Sequence, residues 1–496
     1  MANYKKFFEG KRITVMGLGL LGRGVKDAIF LAECGAELLI TDLKSKEELA
    51  PSLAKLKKFK NIRYSLGGHK LEDFSGRGGN APDFILKAAG VPLDSPFIAE
   101  AKKNNIPIEM DASLFAKFAP EGVTLIGITG TRGKTTTTYL IYEILKCHLG
   151  LNSPKRAVGR TTDRKSVVLG GNIKGVATLP LLKKVKSGDF VVAELDSWQL
   201  QGFHDAKISP NVAVFTTFFD DHLIYYKGNQ DLYFSDKEAI FKYQRTGRVS
   251  VDGARHDSAE SDVLVVGEQV AERVSRARPP VSPIIAHVSD IPSAWQLKIL
   301  GEHNRANAAC ALAVARALKI PDAVSKKAIE SFKGVSGRLE LVRTVRGVKI
   351  YNDTTATTPE ATIAALRALS TKSEIRNSKQ IQNSKSKNEK NIILIMGGSD
   401  KGLDMSKLVE EIPKFCKAVV FLEGTGTEKL IFNFQFSIFN KFPIFQFSNL
   451  KDAVAKAFEL SVKGDVILFS PAFASFGMFK NEYDRGEQFN KIVESL

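Results

Sequence analysis

Residues 127–138 read GITGTRGKTTTT, and few folds accommodate such a stretch. The apolar run 123–128 predicts a buried strand, and residues 139–149 predict a helix. Between them lies a glycine-rich turn ending in Lys134 and Thr135. A turn of this kind aims backbone N–H groups and a helix N-terminus at phosphates. Lys134 adds a point charge, and a hydroxyl can hold Mg²⁺. The strict phosphate-loop pattern is not met, because Ile128 stands where its first glycine belongs and the glycines fall at 127, 130 and 133. A nucleoside triphosphate site centred on Gly130, Thr131, Gly133, Lys134 and Thr135 is the reading that explains this spacing.

A chain of 496 residues exceeds one ordinary core, and its rhythm supplies three. Residues 12–118 alternate strand-like runs (ITVMGLG, ELLITD, FILKAAG, IPIEM) with helical stretches. The pattern restarts with VTLIGIT, FVVAEL and NVAVFTT, passes a long alanine-rich helix at 301–318, and begins a third time after Gly337 with VKIYND, NIILIMGG, AVVFLEG and DVILFSP. This implies an α/β protein of three domains: 1–119 Rossmann-like, 120–335 a central mononucleotide-binding domain of P-loop ATPase type, and 336–496 again Rossmann-like. Two stretches look foreign to the rhythm. Residues 371–390 are polar, with six Lys or Arg against two Glu, and read as a disordered insertion. Residues 431–448 are Phe-rich and read as a strand pair extending the third domain, or as a sticky surface.

The four cysteines are scattered with no CxxC pair, which argues against a disulfide framework or zinc site and suits a reducing cytoplasm. No signal peptide and no run of membrane-spanning length is expected. The formal charge of +17 suits nucleic acid, an anionic surface or acidic small substrates. No basic stripe interleaved with aromatics accompanies it, so nucleic acid is not expected as a partner.

Gly17, Gly19 and Gly22 form a GxGxxG turn after the first strand, and Asp42 ends the next strand. Alone this would suggest a dinucleotide and an oxidoreductase. The same turn can hold any nucleoside diphosphate, and a second nucleotide-type turn disfavours a simple NAD dehydrogenase. Asp42 either contacts a ribose or base, or merely ends its strand. Glu194 ends an apolar strand in the domain of Lys134, where it can reach a Mg²⁺ ion beside Thr135. His222 follows another buried strand and two aspartates, which points to a metal or substrate role. Lys237 on an amphipathic helix would by itself be read as a surface lysine. Asn304 and Asn307 share a helix face and are unfavourable there by propensity, which points to a ligand or to interhelical hydrogen bonds. Arg338 and Asp353 open the third domain and would reach the nucleotide only if that domain closes.

Assembled in order, GITGTRGKTT, Gly171-Asn172, Glu194, His222, Lys237, GEHNRAN, Gly337-Arg338, YNDTTATTPEAT and GGSDKG resemble the Mur ligase family of ATP-dependent amide-forming enzymes. The segment SPAFASFGMFKNEYDRGEQF (470–489) resembles that of the D-glutamate-adding branch. The resemblance implies ATP on Lys134, Thr135, Thr136, Asn304, Asn307, Arg338 and Asp353. It implies two Mg²⁺ ions, one shared by Thr135 and Glu194 and one on His222, with Lys237 carbamylated and helping the metal site. Gly19, Leu20, Leu21, Gly22, Asp42 and Leu43 would hold the UDP of UDP-N-acetylmuramoyl-L-alanine, Asn172 would contact substrate or phosphate, and Thr357, Lys401, Ser475 and Phe476 would hold D-glutamate. A cytoplasmic monomer with no membrane insertion is expected. This chain departs from the family pattern at Lys87-Ala-Ala-Gly90, Asp196, Gly337, Thr355 and Glu482.

Overall fold

The computed structural model describes residues 3–19, 22–75, 81–92, 94–151, 165–222, 225–246, 261–370, 390–434 and 442–496. Leu20, Leu21, nearly all of the 371–390 insertion and positions 435–441 of the Phe-rich stretch lie outside them. The chain folds around three α/β sheets, as the repeated rhythm predicts.

The first sheet is wholly parallel, ordered Ile62–Leu66, Glu37–Asp42, Arg12–Met16, Phe84–Lys87, Ile108–Glu109. Its glycine turn follows the central strand Arg12–Met16 and feeds the helix Arg23–Glu33. The second sheet is also wholly parallel, ordered Ile284–Ala286, Val263–Gly267, Val212–Phe215, Thr124–Thr129, Phe190–Glu194, Val167–Gly171. The later strands lie on both sides of Thr124–Thr129, so the chain reverses its direction of travel there. Clefts at the carboxyl ends of strands open at such a point. The near-continuous apolar runs of these strands follow from burial on both faces.

The third sheet is mixed, ordered Glu340–Val345, Val348–Asn352, Val466–Phe469, Ile392–Gly397, Cys416–Leu422, Ile444–Phe447. Its first two strands form a hairpin whose two turn residues, Arg346 and Gly347, both have positive φ, the geometry that matches strand twist in a tight turn. The other pairings are parallel, and apolar cores cover both faces. Among the described residues of the Phe-rich stretch there is one strand and no strand pair. The helix Thr425–Phe434 covers its start, and a single edge strand, Ile444–Phe447, its end.

Two compact units emerge. One comprises Met1–Phe218, Asp231–Asp290 and Ala309–Ala328, and so holds the first two sheets. The other comprises Phe219–Gln230, Ile291–Ala308 and Ile329–Leu496. All four cysteines are free thiols. Among the described residues no helix is long and apolar enough to cross a membrane.

Candidate active site

The phosphate turn is held open by its own backbone demands. Gly130 has φ +144, and a Cβ there would sit 2.1 Å from Thr216 Oγ1; Gly133 has φ +86 at the N-cap of the helix Lys134–His148. Neither position admits a side chain without strain. The neighbouring strand end braces the turn: Thr131 N donates to Thr217 O at 2.7 Å and Arg132 N to Thr217 Oγ1 at 2.9 Å. The loop curls around Lys134, whose Nζ donates to Gly130 O (2.9 Å) and Thr131 O (3.2 Å). The first-turn amides of the helix have no intrahelical acceptor and point the way an anion would come.

Thr135 Oγ1 donates to Glu194 Oε2 at 2.5 Å. Glu194 is 4% exposed, at the end of the strand next to the one that carries the turn. A hydroxyl and a carboxylate oxygen this close form a hard-oxygen pair suited to Mg²⁺, which takes few protein ligands and fills its shell from phosphates and water. Lys237 proves to be buried, 1% exposed, with Nζ donating to Gly130 O at 3.1 Å and lying 4.8 Å from the centre of the Tyr233 ring. Its reading as a surface lysine on sequence grounds alone is therefore corrected. Thr136 is buried beside Thr135. Among the described residues no three His, Cys, Asp or Glu side chains converge as a metal cluster.

In the first sheet Asp42 does more than end a strand. Its carboxylate accepts from Leu18 N (2.8 Å), Gly19 N (3.2 Å) and Lys44 N (3.0 Å), clamping the Gly17–Leu18–Gly19 turn from a buried position. Gly19 and Gly22 both take positive φ, and Leu43 projects into solvent. Asn172 stands on a turn that Gly171 makes possible: with φ +74, a Cβ on Gly171 would meet Glu194 O at 1.9 Å. Asn172 N donates to that same Glu194 O at 2.6 Å, and its side chain accepts from Arg23 Nη2 at 2.8 Å. Asp196 has a local role: it caps the helix Ser197–Ala206 in a capping box with Gln199.

The second unit carries the other candidates. Asn304 Nδ2 donates to Leu300 O (2.8 Å), and Asn307 Nδ2 to Asn304 Oδ1 (3.1 Å), so the pair is linked on its shared face. Asp353 accepts from Leu339 N (3.0 Å) and Ser470 Oγ (2.9 Å), and so fixes the backbone just after Arg338. Gly337 has φ +72 and its carbonyl accepts from Thr355 Oγ1 at 2.9 Å, which ties two of the departing positions to one turn. Asp221 Oδ1 accepts from both His222 N and Lys401 Nζ at 2.9 Å, with His222 itself at φ +55. Ser475 is buried and Phe476 is 70% exposed, while Thr357 is half-buried. Arg485, which the sequence reading did not single out, is 1% exposed and bonds Thr354 Oγ1, Thr354 O and Phe473 O. Burial pulls its pKa down to about 10. A cavity of about 640 Å³ lined by Arg12, Thr14, Glu37, Arg63 and Asp73 lies on the first sheet and includes none of the phosphate-turn residues.

A lysine-filled glycine turn at the reversal point of a parallel sheet, with a hydroxyl–carboxylate pair beside it, defines a nucleoside-triphosphate-using α/β protein. Residues 128–315 match the Mur ligase middle domain, and residues 337–473 match the Mur ligase glutamate ligase domain. Curated relatives named UDP-N-acetylmuramoylalanine–D-glutamate ligase include one from Roseiflexus sp. (strain RS-1), 34% identical over 98% of this chain and 99% of its own. One from Clostridium kluyveri is 32% identical over 100% of this chain and 99% of its own. The solved UDP-N-acetylmuramate–alanine ligase of Thermotoga maritima shares the fold at TM-score 0.58 and 20% identity, covering 98% of this chain and 99% of its own. The chain belongs to the Mur ligase family.

Proposed function

We propose that this protein is the ATP-dependent ligase that adds D-glutamate to UDP-N-acetylmuramoyl-L-alanine in peptidoglycan synthesis. The near-full-length likeness to relatives of that name supports the substrate pair. The observation that carries the chemistry is the Thr135–Glu194 oxygen pair at the mouth of the phosphate turn. Residues 1–119 would take the UDP-sugar, 120–335 the ATP and 336–496 the amino acid, in a cytoplasmic monomer.

The substrate carboxylate attacks the γ-phosphorus of ATP, a new O–P bond forms, the bond to the β-phosphate oxygen breaks, and ADP leaves. The amine of D-glutamate then attacks the acyl carbonyl, loses a proton, and phosphate leaves with the C–O bond. Two anions must meet in the first step, so charge neutralisation is the main task. Lys134, cradled by Gly130 and Thr131, would compensate the γ-phosphate, and the helix N-terminus behind it would add its dipole. Arg338, next to the Leu339 amide that Asp353 holds, would bring a second cation to the nucleotide. Thr135 and Glu194 would hold a first Mg²⁺, and His222 a second. Bound there, the ions would withdraw charge from the phosphoryl oxygens. Lys237 as a carbamate would give that site a further anion. Asn304 and Asn307 would take the adenine, while Lys401, Thr357, Ser475 and Phe476 would orient D-glutamate.

The test is a panel of UDP-muramoyl acceptors crossed with amino acids and scored by ADP formation. Turnover is expected only with UDP-N-acetylmuramoyl-L-alanine and D-glutamate together. Turnover that follows a different pair, or DNA or RNA, refutes the assignment.

A further inference from the structure

Arg23 is the first residue of the helix Arg23–Glu33, directly after Gly22 at φ +81, and so stands at the mouth of the first glycine turn. Its Nη2 reaches across to the central sheet and donates to Asn172 Oδ1 at 2.8 Å. A second tie runs beside it, from Lys26 Nζ to Gly175 O on the same turn. Beneath Arg23 the structure places two acids. Asp27 lies one helical turn further on and is 3% exposed; Asp111 opens another helix and is 8% exposed. Asp27 Oδ1 and Asp111 Oδ2 make no hydrogen bond. Burial, then the neighbouring acid, raises the pKa of Asp27; burial raises that of Asp111; the Arg23 charge opposes both shifts. The guanidinium thus lies close enough to both acids for its charge to oppose their neutralisation, and it is directed at one atom of Asn172.

That atom decides what Asn172 can offer. A carboxamide has one acceptor end and one donor end. With Oδ1 engaged by an arginine, the remaining end is the NH₂ group, which can only donate. The backbone N of Asn172 is bonded to Glu194 O (2.6 Å), and the Glu194 carboxylate takes the Thr135 hydroxyl (2.5 Å), so the residue is joined to the phosphate turn through Glu194. The nucleotide-sugar acid proposed to bind here carries anionic oxygens, for which a donor is the matching end.

We infer that Arg23 is a positioning residue for the ligation, acting through Asn172: it fixes the carboxamide so that its NH₂ donates to an anionic oxygen of the nucleotide-sugar acid. The inference rests on the proposed assignment of Asn172 to substrate, and deepens it. A guanidinium holds its donors in a planar fork, so lysine at 23 would supply charge without the same orientation.

The experiment compares Arg23→Met, Arg23→Lys, Asn172→Ala and the Arg23→Met/Asn172→Ala pair in the full-length protein. UDP-N-acetylmuramoyl-L-alanine binding is measured by calorimetry, ADP-release kinetics with each substrate varied, and Tm for each variant. Arg23→Met is expected to weaken the UDP-acceptor Kd and raise its KM roughly tenfold to a hundredfold, the range for a hydrogen bond to a charged group. The KM for ATP should stay within about twofold, and Arg23→Lys should recover part of the loss. The paired variant should be no worse than Asn172→Ala alone, because the partner through which Arg23 acts is already gone. Losses that multiply in the pair would mean that Arg23 meets the substrate directly, and would overturn the inference. A lowered Tm with unchanged UDP-acceptor Kd would overturn it too, leaving a structural tie only. A wild-type protein that neither binds nor turns over the UDP-acceptor would refute the function itself, and this inference with it.

Discussion

Thr135 Oγ1 lies 2.5 Å from Glu194 Oε2, joining the first turn of one helix to the end of the neighbouring strand. The two oxygens come together because the strand leading into the turn pairs in parallel with the strand that ends at Glu194, with Ile128 opposite Glu194. Glu194→Gln keeps the shape and removes the charge. ADP release is expected to fall on the order of 10²–10³-fold, as when a positioned electrostatic group is lost, and the Mg²⁺ concentration for half-maximal rate should rise. Metal titrations of both proteins check this; an unchanged Mg²⁺ requirement would remove Glu194 from the metal site.

Lys237 is a buried amine with Gly130 O as hydrogen-bond partner and the Tyr233 ring alongside. If its working form is a carbamate, an external carboxylate can stand in for it. Lys237→Ala is expected to be inactive, and short-chain carboxylic acids at high concentration should restore measurable ADP release. Failure of every acid tested, in a variant whose Tm matches wild type, would favour a lysine that only braces the loop through Gly130.

How much of this was legible beforehand depends on sequence distance. Gly130, Lys134 and Thr135 declare themselves because the turn, its lysine and its helix are contiguous, and Glu194 because an acid closing an apolar run must sit at a strand end. The contact between Arg23 and Asn172 spans 149 positions and leaves no periodic trace. The fingerprint leaves Asp42 as either a ribose or base ligand or a strand end; only the fold shows its carboxylate clamping Leu18 and Gly19. Without the resemblance Lys237 reads as a surface lysine, and Arg485 does not stand out, because a charged side chain within a helix normally faces water; tertiary packing buries both. The 431–448 stretch stays ambiguous in the sequence because phenylalanines suit helix and strand cores alike.

Gly171 and Gly175 offer a matched pair for testing how the central turn holds Glu194. Both have positive φ, +74 and +75, but a Cβ on Gly171 would stand 1.9 Å from Glu194 O while one on Gly175 meets nothing within 4 Å. Gly175→Ala should cost about 1–2 kcal/mol for the left-handed conformation alone and leave kcat near wild type. Gly171→Ala carries the same conformational cost and must also displace the Glu194 backbone. It should lose more stability, and ADP release should fall with it. Denaturant unfolding and kinetics on both variants check this; equal behaviour would show that the turn is not what holds Glu194 in place.

Lys87 supplies a pH signature. It stands in the departing Lys87-Ala-Ala-Gly90 segment and is 2% exposed, with Nζ donating to Val91 O at 2.8 Å. Burial draws its pKa down to about 8, against the pull of Asp196, Asp205 and Asp236. A folded-state pKa below the unfolded one means that the unfolded chain holds the proton more tightly between about pH 8 and pH 10.5. Stability owed to this residue therefore rises with pH across that window, since the folded protein sheds its buried charge while the unfolded chain stays protonated. Lys87→Met cannot titrate and lacks this slope. Unfolding free energies of wild type minus variant should increase by about 2 kcal/mol between pH 8 and pH 10, whatever the offset between the two proteins at neutrality. A difference that stays flat or declines over that interval would show that the ammonium keeps its solvent-like affinity for the proton despite its burial.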